Sequence, residues 1–268
     1  MTDFAAITQR QQQAWSLGDF GRVAAMMPAL HSELLCAALD LHAGERVLDV
    51  AAGNGNASLA AARRFCRVVS TDYVPDLVAQ TAARATTEGL ELDTQVADAQ
   101  HLPFADGQFD VTLSTFGVMF APDQQRAADE LTRVTRSGGR IGMNNWVPDS
   151  LVGDMFRTLG ARLPPPPGVR PAFEWGTKDR LRELFGDRIT ALRTTRQLCP
   201  FRYPSTAFLL DYFRTWNGPT RNAFNALDDS GQAALTADLL KAFDTHNFAT
   251  DATYAGDSAY LEIVAVVA

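Results

Sequence analysis

Residues Glu45 to Asp76 read Glu-Arg-Val-Leu-Asp-Val-Ala-Ala-Gly-Asn-Gly-Asn-Ala-Ser-Leu-Ala-Ala-Ala-Arg-Arg-Phe-Cys-Arg-Val-Val-Ser-Thr-Asp-Tyr-Val-Pro-Asp. Val47 to Val50 is a short apolar run that predicts a buried strand. Ala51 to Asn56 are all small or turn-forming, and Gly53 and Gly55 allow left-handed backbone and close approach by a ligand. Ala57 to Arg64, rich in Ala and Leu, predicts a helix. Val68 to Thr71 predicts a second strand, ending in Asp72. A strand, a small-residue loop, a helix and a strand ending in an acid form a unit that binds a nucleoside cofactor at the carboxyl ends of its strands.

The glycine register narrows the choice of cofactor. A dinucleotide fingerprint requires a third glycine three residues after the second. Ser58 stands there, which disfavours NAD and FAD. The stretch instead resembles motif I of the class I S-adenosylmethionine (SAM) dependent methyltransferases. In that family an acid in the first strand leads into a glycine loop, as Asp49, Ala51, Gly53 and Gly55 do here, with Ala51 in place of the usual first glycine.

The resemblance extends along the chain. Pro75 suits the first turn of a second helix, and Gly89-Leu90 ends it. Leu92 to Val96 predicts a third strand, followed by Ala97-Asp98-Ala99-Gln100-His101-Leu102-Pro103-Phe104. A turn at Asp106-Gly107-Gln108 precedes a fourth strand over Phe109 to Ser114. This spacing, with Thr115 to Phe120 after it, resembles the small-molecule methyltransferases of the ubiquinone/menaquinone-biosynthesis type. Gln124 to Thr135 predicts a helix, Ser137-Gly138-Gly139-Arg140 a tight turn, and Arg140 to Trp146 a fifth strand. The resemblance covers roughly residues 8–147.

On either side the sequence is less regular. Thr8 to Met27 predicts a helix interrupted at Gly18, and Ala29 to Leu41 a second one with an apolar stripe. Pro164 to Pro167 predicts a stiff connector. Thr177 to Phe185 predicts a helix with Thr177 as N-cap, Ile189 to Phe201 a sixth strand, and Ser205 to Phe213 and Ala233 to Phe243 two further helices. Ala259 to Val267 is a strongly apolar last strand, which the family places antiparallel between the fifth and sixth. The expected fold is therefore α/β: a Rossmann-like, seven-stranded mixed sheet flanked by helices, its last strand antiparallel. The expected organisation is a single methyltransferase domain, with a helical cap over 1–43, a SAM-binding core over 44–147, and substrate-side insertions and C-terminal strands over 148–268.

Composition sets outer bounds. The chain has 268 residues, a hydrophobic fraction of 46% and a charged fraction of 21%, ordinary values for a globular protein. No apolar run reaches the ~20 residues of a membrane span. The polar N-terminal stretch does not read as a secretory signal, so a cytoplasmic location is expected. A net charge of -7 and a pI of about 5.1 disfavour a nucleic-acid partner. The three cysteines (Cys36, Cys66, Cys199) and four histidines (His31, His42, His101, His246) are dispersed, and no metal site is expected.

The resemblance implies SAM as cofactor and S-adenosylhomocysteine as product, and roles for particular residues. Asp72, about 20 residues past the glycine loop, is the candidate for the ribose hydroxyls; the alternative is a helix N-terminal acid stabilised by the dipole. Asp98 is the candidate for the adenine amino group, or a turn cap. Tyr73 and Val74 pack on one adenine face and Ala99 lies near the other. Gly53 and Gly55 let the backbone approach the methionine end. Asp49 either attracts the ammonium or braces the loop, and the Ser114 carbonyl is a further partner for the ammonium.

Acceptor-side candidates are Trp15, Phe116, Met119 and Trp146, with Phe173, Trp175, Tyr212, Phe213 and Trp216 as further walls; for each, core packing is the alternative. This mix suggests an apolar or aromatic small-molecule acceptor. No catalytic residue is identified: His246, His101 and Tyr203 are titratable but lie in no motif. The expected activity is methyl transfer to a small molecule by in-line displacement. A non-catalytic SAM-binding or scaffold protein is the alternative, and an NAD-dependent oxidoreductase is opposed by Ser58. Methylation of protein or nucleic acid is disfavoured by the acidic balance and by Ser114-Thr115-Phe116-Gly117, where an amino-methylating motif would stand. The acceptor and the oligomeric state stay open.

Overall fold

Val47 to Val50 are all buried, because β1 lies inside the sheet with helices on both faces. The computed structural model describes residues 2–27 and 29–268; of the expected cap, Met1 and Pro28 fall outside the described residues. The strands are β1 (Arg46–Val50), β2 (Arg67–Asp72), β3 (Asp93–Val96), β4 (Phe109–Thr115), β5 (Thr135–Trp146), β6 (Ile189–Tyr203) and β7 (Tyr254–Val267). They form one seven-stranded sheet in the order β3-β2-β1-β4-β5-β7-β6. β1 to β5 pair in parallel. β7 runs antiparallel to both β5 and β6, as the resemblance implied.

Eleven helices are described: α1 (Phe4–Ser16), α2 (Phe20–Met26), α3 (Leu30–Ala38), α4 (Asn56–Ala62), α5 (Pro75–Glu88), α6 (Gln124–Val134), α7 (Leu151–Arg162), α8 (Lys178–Phe185), α9 (Thr206–Trp216), α10 (Gly218–Asn225) and α11 (Asp229–Thr245). Alternate β1 residues serve opposite faces, as the period of two requires. Val47 joins Leu35 of α3, Leu39 just after it, and Ala57 and Ala60 of α4. Leu48 and Val50 join Ala127, Leu131 and Val134 of α6 in the larger core.

Local punctuation set several boundaries. Pro75 opens α5, and Gly89 closes it with φ of 67°. The Thr177 hydroxyl caps α8 by accepting the Arg180 N–H at 3.3 Å. Two helices, α7 and α10, were not expected. Each is capped by a side chain, Ser150 and Asn217 respectively, whose signal was hidden by neighbouring Pro and Gly residues. The expected tight turn at Ser137 to Arg140 is instead part of β5. Phe109 pairs with Thr135 and Val111 with Arg140, so the extra residues bulge out within the ladder while Arg136 holds Asp110 at 2.9 Å.

The N-terminal helices are locked over the carboxyl ends of the strands. A Cβ on Gly18 would lie 2.1 Å from the Trp216 carbonyl oxygen, and one on Gly218 would lie 2.2 Å from that of Ala14. Glycine is thus required at both crossing points, where α1 and α2 meet the α9–α10 corner. Asp19 N–H donates to the Trp216 carbonyl at 3.0 Å, and the Tyr212 hydroxyl donates to the Arg22 carbonyl at 2.9 Å. Among the described residues no helix is long and apolar enough to cross a membrane.

The C-terminal strand is predicted to be integral to folding. Ile263 is fully buried between Met143 of β5 and Thr194 of β6. Ile263→Ala should lower unfolding stability by about 2–5 kcal/mol in urea titrations; an unchanged midpoint would mean that β7 contributes little.

Candidate functional site

Three connected cavities open where β1, β2 and β4 end. The main cleft encloses about 680 Å³ and is lined by Ala51, Gly53, Asp72, Tyr73, Asp98, Ala99 and Phe116, under a lid formed by Gln11, Trp15 and Phe20. A polar annex of about 390 Å³ leads off past Ala52 and Thr115. An aromatic chamber of about 380 Å³ lies beyond Trp15 and Phe120. Phe20 and Phe116 line all three.

The floor is built by an unusual run of left-handed backbone: Ala51, Gly53 and Gly55 have φ of 53°, 58° and 87°. Position 51 is where the resembling family carries glycine, and its conformation explains that preference, since a Cβ in this region costs about 1–2 kcal/mol. The Asp72 carboxylate holds the run in place. Oδ2 accepts the Gly53 N–H and Oδ1 the Val74 N–H, both at 2.9 Å. Burial raises the Asp72 pKa, while the N–H bonds from Val74, Gly53 and Tyr73 favour the charged form.

Asp49 lies beneath this floor and does not line the cleft. Its Oδ2 accepts the Ser58 hydroxyl at 2.6 Å, and Ser58 Oγ lies 2.8 Å from Ser70 Oγ. The residue at the missing third-glycine position thus ties α4 to the strand acid. Asp49 Oδ1 has no partner. Burial pushes this carboxyl up to about 7, the Ser58 bond opposing and the nearby Asp72 charge adding to the rise.

Asp98 is oriented by a residue that sequence reasoning missed. Gln100 is buried; its N–H donates to Asp98 Oδ1 at 2.9 Å, and its amide nitrogen lies 3.1 Å from both carboxylate oxygens and 2.9 Å from the Thr8 hydroxyl. Its Oε1 accepts the Asp123 N–H at the start of α6. Gln100 therefore joins the cleft, α1 and α6. Gln11 Oε1 is buried at the cleft wall without a partner. Neither glutamine lies in a recognisable pattern, because their importance arises from the seating of α1 against the cleft.

Phe116 adopts φ of 57°, donates its N–H to the Asn144 carbonyl at 2.8 Å, and stacks on Trp146 with ring centroids 4.1 Å apart. The close passage of the two loops explains Gly117, where a Cβ would lie 2.2 Å from the Ala51 carbonyl oxygen. Trp15 meets Phe20 and Phe120 edge-on, each at 5.2 Å.

The other expected residues are dispersed. Gly55 backs onto Thr81. Ser114 is buried, its hydroxyl donating to the Val50 carbonyl at 2.7 Å, and Thr115 is the β4 residue that reaches the cleft. Met119 is buried and lines an outer groove that also includes Phe173. Trp146 and Phe213 line the aromatic chamber. Trp175 is buried edge-on against Phe185 and lines none of these cavities. Trp216 lies under Arg22, and Tyr212 serves the cap.

His246 pairs with Asp154 at 2.7 Å, His101 lies 3.8 Å from Asp98, and Tyr203 packs against Phe201 and Tyr212; none of the three lines the cleft. His31, which sequence reasoning counted only among dispersed histidines, lines the annex. Among the described residues no group of three His, Cys, Asp or Glu is placed to hold a metal.

Two predictions follow from the floor. Between about pH 4, where an exposed aspartate titrates, and about pH 7, where Asp49 titrates, the folded chain holds a proton that the unfolded chain has released. The resulting stability is complete below about pH 4 and is lost as pH rises through about 7. Asp49→Asn should flatten this decline in urea titrations across that range; an unchanged slope would remove the assignment. Ala51→Gly relieves the left-handed strain at a smaller entropic cost and should raise stability by up to about 1 kcal/mol in thermal melts.

Comparison with known proteins agrees with this architecture. Residues 48–143 match the family described as Methyltransferase domain. The chain is 39% identical over 246 residues to an uncharacterized protein of Mycobacterium tuberculosis, covering 89% of this chain and 90% of that one. It is 43% identical over 106 residues to the demethylmenaquinone methyltransferase of Thermobifida fusca, covering 39% of this chain and 45% of the relative. The solved structure of YcgJ from Bacillus subtilis superposes with a TM-score of 0.63 at 20% identity, over 88% of this chain and 98% of that one. With its β7 antiparallel between β5 and β6 and its glycine loop after β1, the chain belongs to the class I SAM-dependent methyltransferases.

Proposed function

We propose that the cleft binds SAM and that the chain transfers its methyl group to a small apolar or aromatic acceptor held in the aromatic chamber. The observation that carries this reading is the junction at Phe20 and Phe116, where a cleft with two carboxylates, a polar annex and an aromatic chamber meet. The residues suit the group. Asp72 keeps unused lone pairs on its carboxylate for the ribose hydroxyls, and its backbone donors favour the ionised form needed to accept them. In this reading Asp98 accepts from the adenine amino group, with Tyr73 and Ala99, which line the same cleft, against the base. Ala51, Gly53 and Gly55 shape a floor on which backbone meets the methionine portion, with Asp49 bracing it from below. The carbonyls at the end of β4, from Ser114 onward, suit the ammonium.

When bound, SAM supplies a methyl group on a cationic sulfur that leaves as a neutral thioether. The protein's task is then alignment and exclusion of water. Trp15, Phe20 and Phe120 close the cleft, and Phe116 on Trp146 presents an aromatic wall where the cationic centre would lie. The chamber is lined by Trp15, Trp146, Phe156, Phe201, Phe213 and other groups, none of them titratable. This favours an acceptor that is nucleophilic without a protein base. Met119 and Phe173 extend apolar surface into the outer groove. A chamber adjoining the cofactor cleft favours catalysis over a binding-only or scaffold role. Three buried free cysteines suit a reducing cytoplasm.

Calorimetry with S-adenosylhomocysteine tests the reading. Wild-type protein should bind it, and Asp72→Ala should lose at least about tenfold in affinity, the equivalent of one charged hydrogen bond. Absence of binding by folded wild-type protein would sink the SAM assignment, and unchanged affinity in the variant would sink the ribose role. Trp146→Ala should leave S-adenosylhomocysteine affinity within about threefold while reducing turnover of any apolar acceptor found by screening, because Trp146 lines the chamber and not the main cleft.

A further inference from the structure

His31 is the second residue of α3 and only 4% exposed. Its Nδ1 lies 3.0 Å from the Tyr260 hydroxyl on β7. Its main-chain carbonyl accepts from the Asn144 side chain at 3.1 Å, which ties the start of α3 to β5. Its Nε2 is buried and has no partner in the protein. The ring forms part of the annex wall.

Burial raises the Tyr260 pKa and lowers that of His31, so the pair is a neutral phenol and a neutral imidazole. Either group can donate in this contact; in the tautomer in which the phenol donates to Nδ1, the remaining ring proton sits on Nε2. That tautomer presents a buried N–H donor with no acceptor in the protein, an arrangement that costs stability unless a water or a ligand supplies the acceptor.

The annex identifies that ligand by its chemistry. Ser32, Asn54 and Asn56 line it, and no carboxylate does. Asn56 Oδ1 is occupied by Arg84 at 2.9 Å, which leaves the amide nitrogen as a donor. The two carboxylates of the site, Asp72 and Asp98, lie in the main cleft. The Asn54 amide nitrogen donates to the Gly21 carbonyl at 3.3 Å, so a molecule with its ribose at Asp72 that reaches past Phe116 into the annex would bring a carboxylate at its far end to His31, the Ser32 hydroxyl and the Asn56 amide nitrogen. The aromatic chamber, the other outlet at the junction, is not lined by His31.

On the reading that the cleft takes SAM, we propose that His31, held by Tyr260, donates Nε2–H to the carboxylate of the cofactor's methionine end. A neutral donor recognises this carboxylate without placing a second full positive charge near the sulfonium. His31 is then a residue of cofactor selection, discriminating molecules that carry the amino-acid tail from those that end at the thioether.

The test compares S-adenosylhomocysteine with 5′-methylthioadenosine, which keeps the adenosine and the thioether but lacks the amino acid. Calorimetry on the full chain should show that His31→Phe loses about tenfold or more for S-adenosylhomocysteine, the range of a hydrogen bond to a charged group, with 5′-methylthioadenosine unchanged. Tyr260→Phe removes the phenol that directs the proton to Nε2, and should give a smaller loss confined to the same ligand. It decides the question by the same comparison if His31→Phe does not fold. Unchanged S-adenosylhomocysteine affinity, or an equal loss for both ligands, overturns the proposal. Failure of wild-type protein to bind either ligand instead overturns the SAM reading on which it rests.

Discussion

The Asp72 carboxylate is the constraint on which the site depends. It receives one N–H from the loop after β1 and one from the turn after β2, and so sets the spacing of two adjacent strand ends. Both bonds go to one rigid planar group, so the left-handed backbone at Ala51 and Gly53 cannot relax without also moving the start of α5. An ion buried to this degree is tolerable only because backbone donors surround it. The arrangement also leaves the carboxylate facing the cleft with acceptor capacity to spare.

A second layer of order comes from the cap. α1 and α2 have modest apolar faces of their own and hold their place by interlocking with the α9–α10 corner, where Gly18 and Gly218 let backbones touch. Gln100 carries that order inward, since one side chain contacts Asp98, Thr8 and Asp123. The cleft is thus closed by elements from the two ends of the chain, and Asp98 on its wall is aligned partly by the lid above it. Phe20 and Phe116, one from the lid and one from the floor, share the point where all three cavities meet.

Much of this architecture was legible beforehand. The central strands are short and continuously apolar because both faces are covered, and their helices are bounded by Pro75, Gly89 and Thr177, whose effects act within a turn. Asp72 and Asp98, which both line the cleft, were legible because they stand at or just after strand ends. The acceptor side was less so. Trp175 and Trp146 are both buried aromatics in the insertion-rich half, yet one packs against α8 while the other lines a chamber. Periodicity does not distinguish these outcomes, because the hydrophobic effect rewards burial whether the neighbour is core or cavity. The helices α7 and α10 were missed for a related reason: single side-chain caps beside Pro and Gly resemble turns.

By itself, the sequence determined the strand–loop–helix–strand unit, the parallel core with an antiparallel last strand, and the two acids, Asp72 and Asp98, that line the cleft, because these rest on local periodicity, backbone freedom and spacing. Tertiary structure alone decided that Asp49 turns to Ser58 beneath the floor, that Gln100 joins the cleft to the cap, and that His31, on the annex wall, meets Tyr260, a residue 229 positions away. Those contacts link residues far apart in the chain, and they exist only once packing has removed water and made each buried polar group find a partner.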